Sequence, residues 1–105
     1  MAQRNLAFIT GHAPGHQTLE AALIAQVERF VSLGRRNIVV VMDTFPSIEE
    51  TTMSALHRLL HRAAELGVQL TCVALDERTV TAIRTRPMLE SLRIIRHVDQ
   101  IPGAA

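Results

Sequence analysis

The stretch from Arg36 to Gly67 constrains the fold more than any other part of the chain. It begins with a continuous apolar, largely β-branched run, Asn37-Ile-Val-Val-Val-Met42. A polar loop follows, Asp43-Thr-Phe-Pro-Ser-Ile-Glu-Glu50, and then an amphipathic segment opened by the hydroxyls of Thr51, Thr52 and Ser54. A strand without polar alternation is expected to be covered on both faces, as in parallel sheets. Parallel strands need a crossover, usually a helix, to join them. One strand–loop–helix unit of this kind predicts an α/β domain.

The rest of the chain repeats the theme. Leu6-Ala-Phe-Ile9 reads as a first strand, ended by the breaker-rich loop Thr10-Gly-His-Ala-Pro-Gly15. Leu19, Leu23, Val27 and Phe30 recur at helical spacing, with Ala22 and Val31 beside them. Thr18 is a candidate cap for this helix, and Gly34 sits where a left-handed residue ends one. Ser47-Ile-Glu-Glu50 fits a capping box, with Ser47 capping and Glu50 reaching back. Met53, Leu56, Leu60 and Ala63 form the apolar stripe of the second helix, and Gly67 follows it. Val68 to Leu75 is a third strand. Asp76 caps a shorter helix through Val80 and Ile83, stopped near Pro87. Arg93-Ile-Ile-Arg-His-Val98 is a last strand, and Pro102-Gly-Ala-Ala is a frayed tail. The alternation β-α-β-α-β-α-β implies right-handed crossovers and a largely parallel sheet.

Bulk properties narrow the function classes. The 105 residues form a single domain, 1–105, and a hydrophobic fraction of 48% supports a core without disulfides or metal. A net charge of +1 is too balanced for nucleic-acid binding by electrostatics alone, and the absence of Tyr and Trp removes base-stacking platforms. The basic residues are all arginine, so no mechanism needing a lysine amine is available. The lone Cys72 fits a reducing compartment. Neither a signal peptide nor a membrane span is apparent, so a cytoplasmic protein is expected.

The open α/β rule directs attention to the carboxyl ends of the strands: the loop Gly11 to Gly15, the loop after Met42, and the loop near Asp76. Asp43 at a strand end invites comparison with a phospho-accepting aspartate. That chemistry needs an acidic pair for magnesium after the first strand and a lysine, and this chain has Thr10-Gly11-His12 and no lysine. Asp43 is better read as a loop acid holding its own turn. His57 and His61 stand four apart with Glu65 continuing the row, a spacing that can place two imidazoles on one ion. The intervening Arg58-Leu-Leu lacks a catalytic glutamate, and Arg58 and Arg62 disfavour a dication, so a solvated or partner-facing row is the expectation. His12 and His16 read as loop histidines. Cys72, inside a strand, reads as a buried inert thiol. No glycine-rich nucleotide loop occurs. No metal, cofactor or catalytic residue is therefore assigned, and an enzyme is not expected.

The hydroxyls are different. Thr51, Thr52 and Ser54 lie in the first turn of a helix, where free N–H groups and the helix dipole favour a phosphate. The alternative reading of the same residues is ordinary N-terminal capping.

From Leu6 to about Ile101 the chain resembles a STAS domain, the fold of bacterial anti-sigma factor antagonists. The family pattern runs V-V-L-D-L, a loop, I-D-S-S-G-L-G-A-L, and a helix ending E-L-G. Laid on without gaps, these fall on Val39 to Met42, on Ile48-Glu-Glu-Thr-Thr-Met-Ser-Ala-Leu56, and on Glu65-Leu66-Gly67. Val73-Ala-Leu-Asp76 resembles the family's V-G-L-S at the next strand-to-helix turn. The resemblance implies an α/β, STAS-like sheet of four to five mostly parallel strands with three to four helices. It implies protein binding in place of catalysis. The serine that an anti-sigma kinase phosphorylates corresponds to Thr51, with Thr52 replacing a glycine. The family's strand aspartate is Val41 here, and its first-strand aspartate falls near Pro14.

The resulting expectation is a regulatory module that docks an anti-sigma factor kinase or related ATPase. The docking residues are Pro46, Ser47, Glu49, Glu50, Thr51, Thr52, Ser54, His57, Arg58 and His61. Thr51 is the candidate phospho-acceptor, and a homodimer is left open. The competing expectation is an accessory subunit gripping the ATPase of a lipid-import transporter with the same face.

Overall fold

The computed structural model describes residues 6–97 apart from 14, 16 and 46. Four strands, β1 (Leu6–Thr10), β2 (Asn37–Val41), β3 (Gln69–Val73) and β4 (Arg93–Ile95), alternate with three helices, α1 (Leu19–Ser32), α2 (Glu50–Leu66) and α3 (Glu77–Arg84). Short 3-10 turns at Met42–Thr44 and Pro87–Leu89 complete the described elements. Every strand pair is parallel, and the strands lie in chain order across the sheet. The expected α/β architecture is present, with four strands and three helices among the described residues.

Strand order has a direct consequence. Right-handed crossovers that always step the same way put every helix on one face of the sheet. The apolar side chains divide accordingly. Ala7, Ile9, Ile38, Val40, Leu70 and Cys72 share one core with Leu23 and Val27 of α1, five residues of α2, and Ile83 of α3. The alternate strand positions Val39, Val73 and Ile95 form a separate cluster with Leu6 and no helical residue. The apolar run of β2 is thus buried along its length, but only one of its faces packs on helices. On the other face Phe8 is 44% exposed.

Local chemistry explains most element ends. Thr18 caps α1, its hydroxyl accepting from the Ala21 N–H at 3.1 Å. Gly67 ends α2 in the left-handed conformation that β-carbon sterics disfavour elsewhere. Asp76 caps α3 by accepting from the Arg78 N–H. The strands expected over Val68 to Leu75 and from Arg93 to Val98 are shorter, Gln69–Val73 and Arg93–Ile95. Val98 and the Pro102 tail lie outside the described residues. On α2, Leu59 is fully buried and Leu60 only half-buried, so the buried stripe runs Thr52, Met53, Ala55, Leu56, Leu59, Ala63.

Two contacts fasten the first loop to the second. The Gly11 N–H donates to Thr44 Oγ1 at 2.9 Å, and the Thr44 hydroxyl donates to the Val41 carbonyl at 2.6 Å. Phe45 lies against Gly11 so closely that a β-carbon there would overlap its ring. A Gly11→Ala substitution should therefore cost about 1–3 kcal/mol, the usual range for overpacking. Urea denaturation should show that loss, and it should shrink when Phe45→Ala is added. Additive losses would mean that the ring and the new methyl do not meet.

Candidate functional site

The working end of α2 is built differently from a capping box. The residue flanking the helix is Glu49, whose side chain makes no cap hydrogen bond. Glu50 is the first helical residue, and its carboxylate takes the guanidinium of Arg86 in the turn after α3. It does not reach back to Ser47. The Ser47 residue contributes its carbonyl instead, accepting the Thr52 hydroxyl at 3.0 Å. Arg86 holds the Glu50 carboxyl below its ordinary value, first through this hydrogen bond and then through its charge. Two acids in or beside the first turn complement the positive end of the helix dipole.

Helical rotation separates the three hydroxyls. Thr52 is 2% exposed and committed inward to Ser47, so it is part of the fold. Thr51 and Ser54 are exposed. Both line an open groove of about 280 Å³ against the start of α1, shared with Thr18, Leu19 and Glu20. Further along the same helix His57, Arg58 and His61 are all exposed. Arg58 pairs with Glu20 at 3.7 Å, across to α1. Arg62 pairs with Glu28 of α1 at 2.8 Å and with Glu65 at 3.2 Å, and His61 approaches Glu65 at 3.7 Å. In the His57/His61/Glu65 row, Arg62 already claims the Glu65 carboxylate.

The other side of the α2 start faces α3. Ser47 and Ile48 line a second groove of about 240 Å³ with Asp43, Asp76 and Arg78. The residues expected to form one docking surface are thus divided. Thr51, Ser54 and Arg58 look toward α1, Ser47 looks toward α3, Glu50 is tied to Arg86, and Glu49 is exposed between them. Thr52 does not belong to the surface at all. Pro46 lies outside the described residues, as do His16 and Pro14. Asp43 is exposed within the Met42–Thr44 turn, and it is Thr44 whose side chain holds that turn and the neighbouring loop. Cys72 is fully buried, and burial pushes its thiol up to about 12, which leaves it inert at neutral pH.

Sequence reasoning missed Glu20, Arg86 and the α1 wall of the groove. Periodicity describes one helix at a time, and nothing in it pairs residue 50 with residue 86.

The fold is similar to the NMR structure of the protein TM1081, with a TM-score of 0.68 over 91% of this chain and 78% of that chain. Sequence identity is 12%, so the likeness is one of fold. No family model and no curated protein matches the sequence.

Two measurements check the site. Thr52→Val should cost roughly 1–3 kcal/mol in urea denaturation, because it leaves the Ser47 carbonyl without its donor. Thr51→Val should stay within about 0.5 kcal/mol, as exposed substitutions do. The second concerns pH. Glu50 has a lowered carboxyl pKa when folded, so its contribution is present above the ordinary value of 4.5 and is lost as pH falls through the folded value. Glu50→Gln should lower neutral stability slightly, since the pair is exposed, and flatten the acid limb of a stability–pH curve by the same small amount, so that the two curves converge below about pH 4.5.

Proposed function

We propose that the chain is a non-enzymatic protein-binding module of STAS type, an anti-sigma factor antagonist or stressosome-like regulator, and that Thr51 is its switch. The observation that carries this reading is the sorting of hydroxyls at the start of α2. Thr52 is sealed and bonded, whereas Thr51 stands exposed at the rim of a groove, where the fold makes no use of its oxygen. A side chain that stability does not require is free to be modified. Phosphate at this position would add about two negative charges beside Glu49 and Glu20 and change what the face can bind.

The partner in this reading is an anti-sigma factor kinase or a related ATPase. It would contact Thr51, Ser54, His57, Arg58 and His61, an exposed row that runs along α2 from its N-terminal end. No chemistry on a substrate is assigned to it.

Incubation with a cognate kinase and Mg-ATP should add one phosphate, located at Thr51 by mass spectrometry and absent from Thr51→Ala. Thr51→Glu should weaken capture of the kinase at least about tenfold, by placing a permanent charge in the interface. Phosphate that persists in Thr51→Ala would move the switch elsewhere. Capture of a transporter ATPase from source-cell lysate, with no modification of Thr51, would favour the accessory-subunit role instead.

A further inference from the structure

A separate cavity lies at the carboxyl end of β1, on the flank of α1 away from the groove just described. One wall is a single helical stripe, Ala22, Ala25, Gln26 and Arg29, at i, i+3, i+4 and i+7. His12 and Gln17 close the loop side. The volume is about 310 Å³, at the lower end of the range for small-molecule sites.

Each wall residue has a definable part. Gln26 is fully used by the fold. Its Oε1 accepts from the Thr10 N–H at 3.1 Å, and its Nε2 donates to the Thr10 carbonyl at 2.9 Å and the Ala22 carbonyl at 3.4 Å. It takes the place of a neighbouring strand at the outer edge of β1 and fixes the cavity's back wall. Ala22 and Ala25 give an apolar floor with no side chain beyond a methyl. Arg29 is exposed and, among the described residues, pairs with no carboxylate, a state it shares with Arg35, Arg36, Arg78, Arg84 and Arg93. Its place in the last turn of α1 suits the helix dipole. That field effect leaves the guanidinium's donors unoccupied. Among the described residues no acidic side chain lines the cavity, whereas His12 and Gln17 offer further donors.

We propose that this cavity binds a small organic anion, with a carboxylate on the Arg29 guanidinium and a short aliphatic body against Ala22 and Ala25. Charge fixes the sign of the ligand, since the lining offers a cation and neutral donors and nothing to repel an anion. The planar fork of arginine suits a carboxylate in a bidentate pair. The methyl floor favours an apolar body over a bare inorganic ion. This site stands independently of the Thr51 switch and would make the module responsive to a metabolite as well as to a protein.

Titration of ¹⁵N-labelled protein with sodium hexanoate tests it, with hexanol and inorganic phosphate as parallel probes. Hexanoate should give saturable shifts at the backbone amides of Ala25 and Arg29. Arg29→Gln should weaken that binding at least about tenfold, the loss expected for a charge-assisted pair. Ala25→Leu should weaken it as well by filling the floor, with the fold retained because position 25 faces outward. The proposal is overturned if hexanol binds as well as hexanoate, if phosphate saturates the site and hexanoate does not, if no probe saturates, or if Arg29→Gln leaves the hexanoate affinity unchanged.

Discussion

The one-sided packing of a sequentially ordered parallel sheet governs everything else in this molecule. With strands in the order of the chain and every crossover stepping the same way, the strand order reverses nowhere among the described residues. Reversal is what opens the deep crevice of doubly wound folds. Here the carboxyl edge of the sheet carries shallow grooves between successive loops and helices. Among the described residues, Cys72 is fully buried in the core that the strands share with the helices.

The fold was largely legible because its signals are local and redundant. The β2 run, the Thr18 and Asp76 caps and Gly67 each act through their own backbone. What was illegible depends on pairs far apart in sequence. The Ser47–Glu50 capping box failed because Arg86, thirty-six residues on, offers Glu50 a full positive charge. That interaction outcompetes a neutral backbone donor. β2 is covered on both faces as expected, but helices cover only one of them. A continuous apolar strand reports burial, and cross-strand neighbours such as Val73 and Ile95 supply part of it. Leu59 and Leu60 changed places because an apolar pair side by side cannot state which of its members faces the sheet.

The candidate site was legible as a region and not as a surface. Three clustered hydroxyls at a helix start mark the place, yet a step of about 100° per residue decides their fates. That rotation turns Thr52 to the Ser47 carbonyl and Thr51 to the solvent. Thr52 thereby acquires a structural role. Thr52 supplies a hydrogen bond that holds the incoming loop, a task glycine could not perform.

Electrostatics then sets what a charge at Thr51 would do. The groove that Thr51 faces contains Glu20, and Glu20 is joined to Arg58 by a pair whose side chains are 45% and 69% exposed. A pair so open to water is worth little, commonly under about 1 kcal/mol. A phosphate carries more charge than a carboxylate and three strong acceptor oxygens. Placed on Thr51 it would repel Glu20 and compete for Arg58 on favourable terms, at almost no cost to the fold. The closer pairs, Arg62 with Glu28 and Arg86 with Glu50, lie to either side and would still join α2 to α1 and to the turn after α3. The local exchange would thus alter the face a partner meets while the scaffold under it stays as it is.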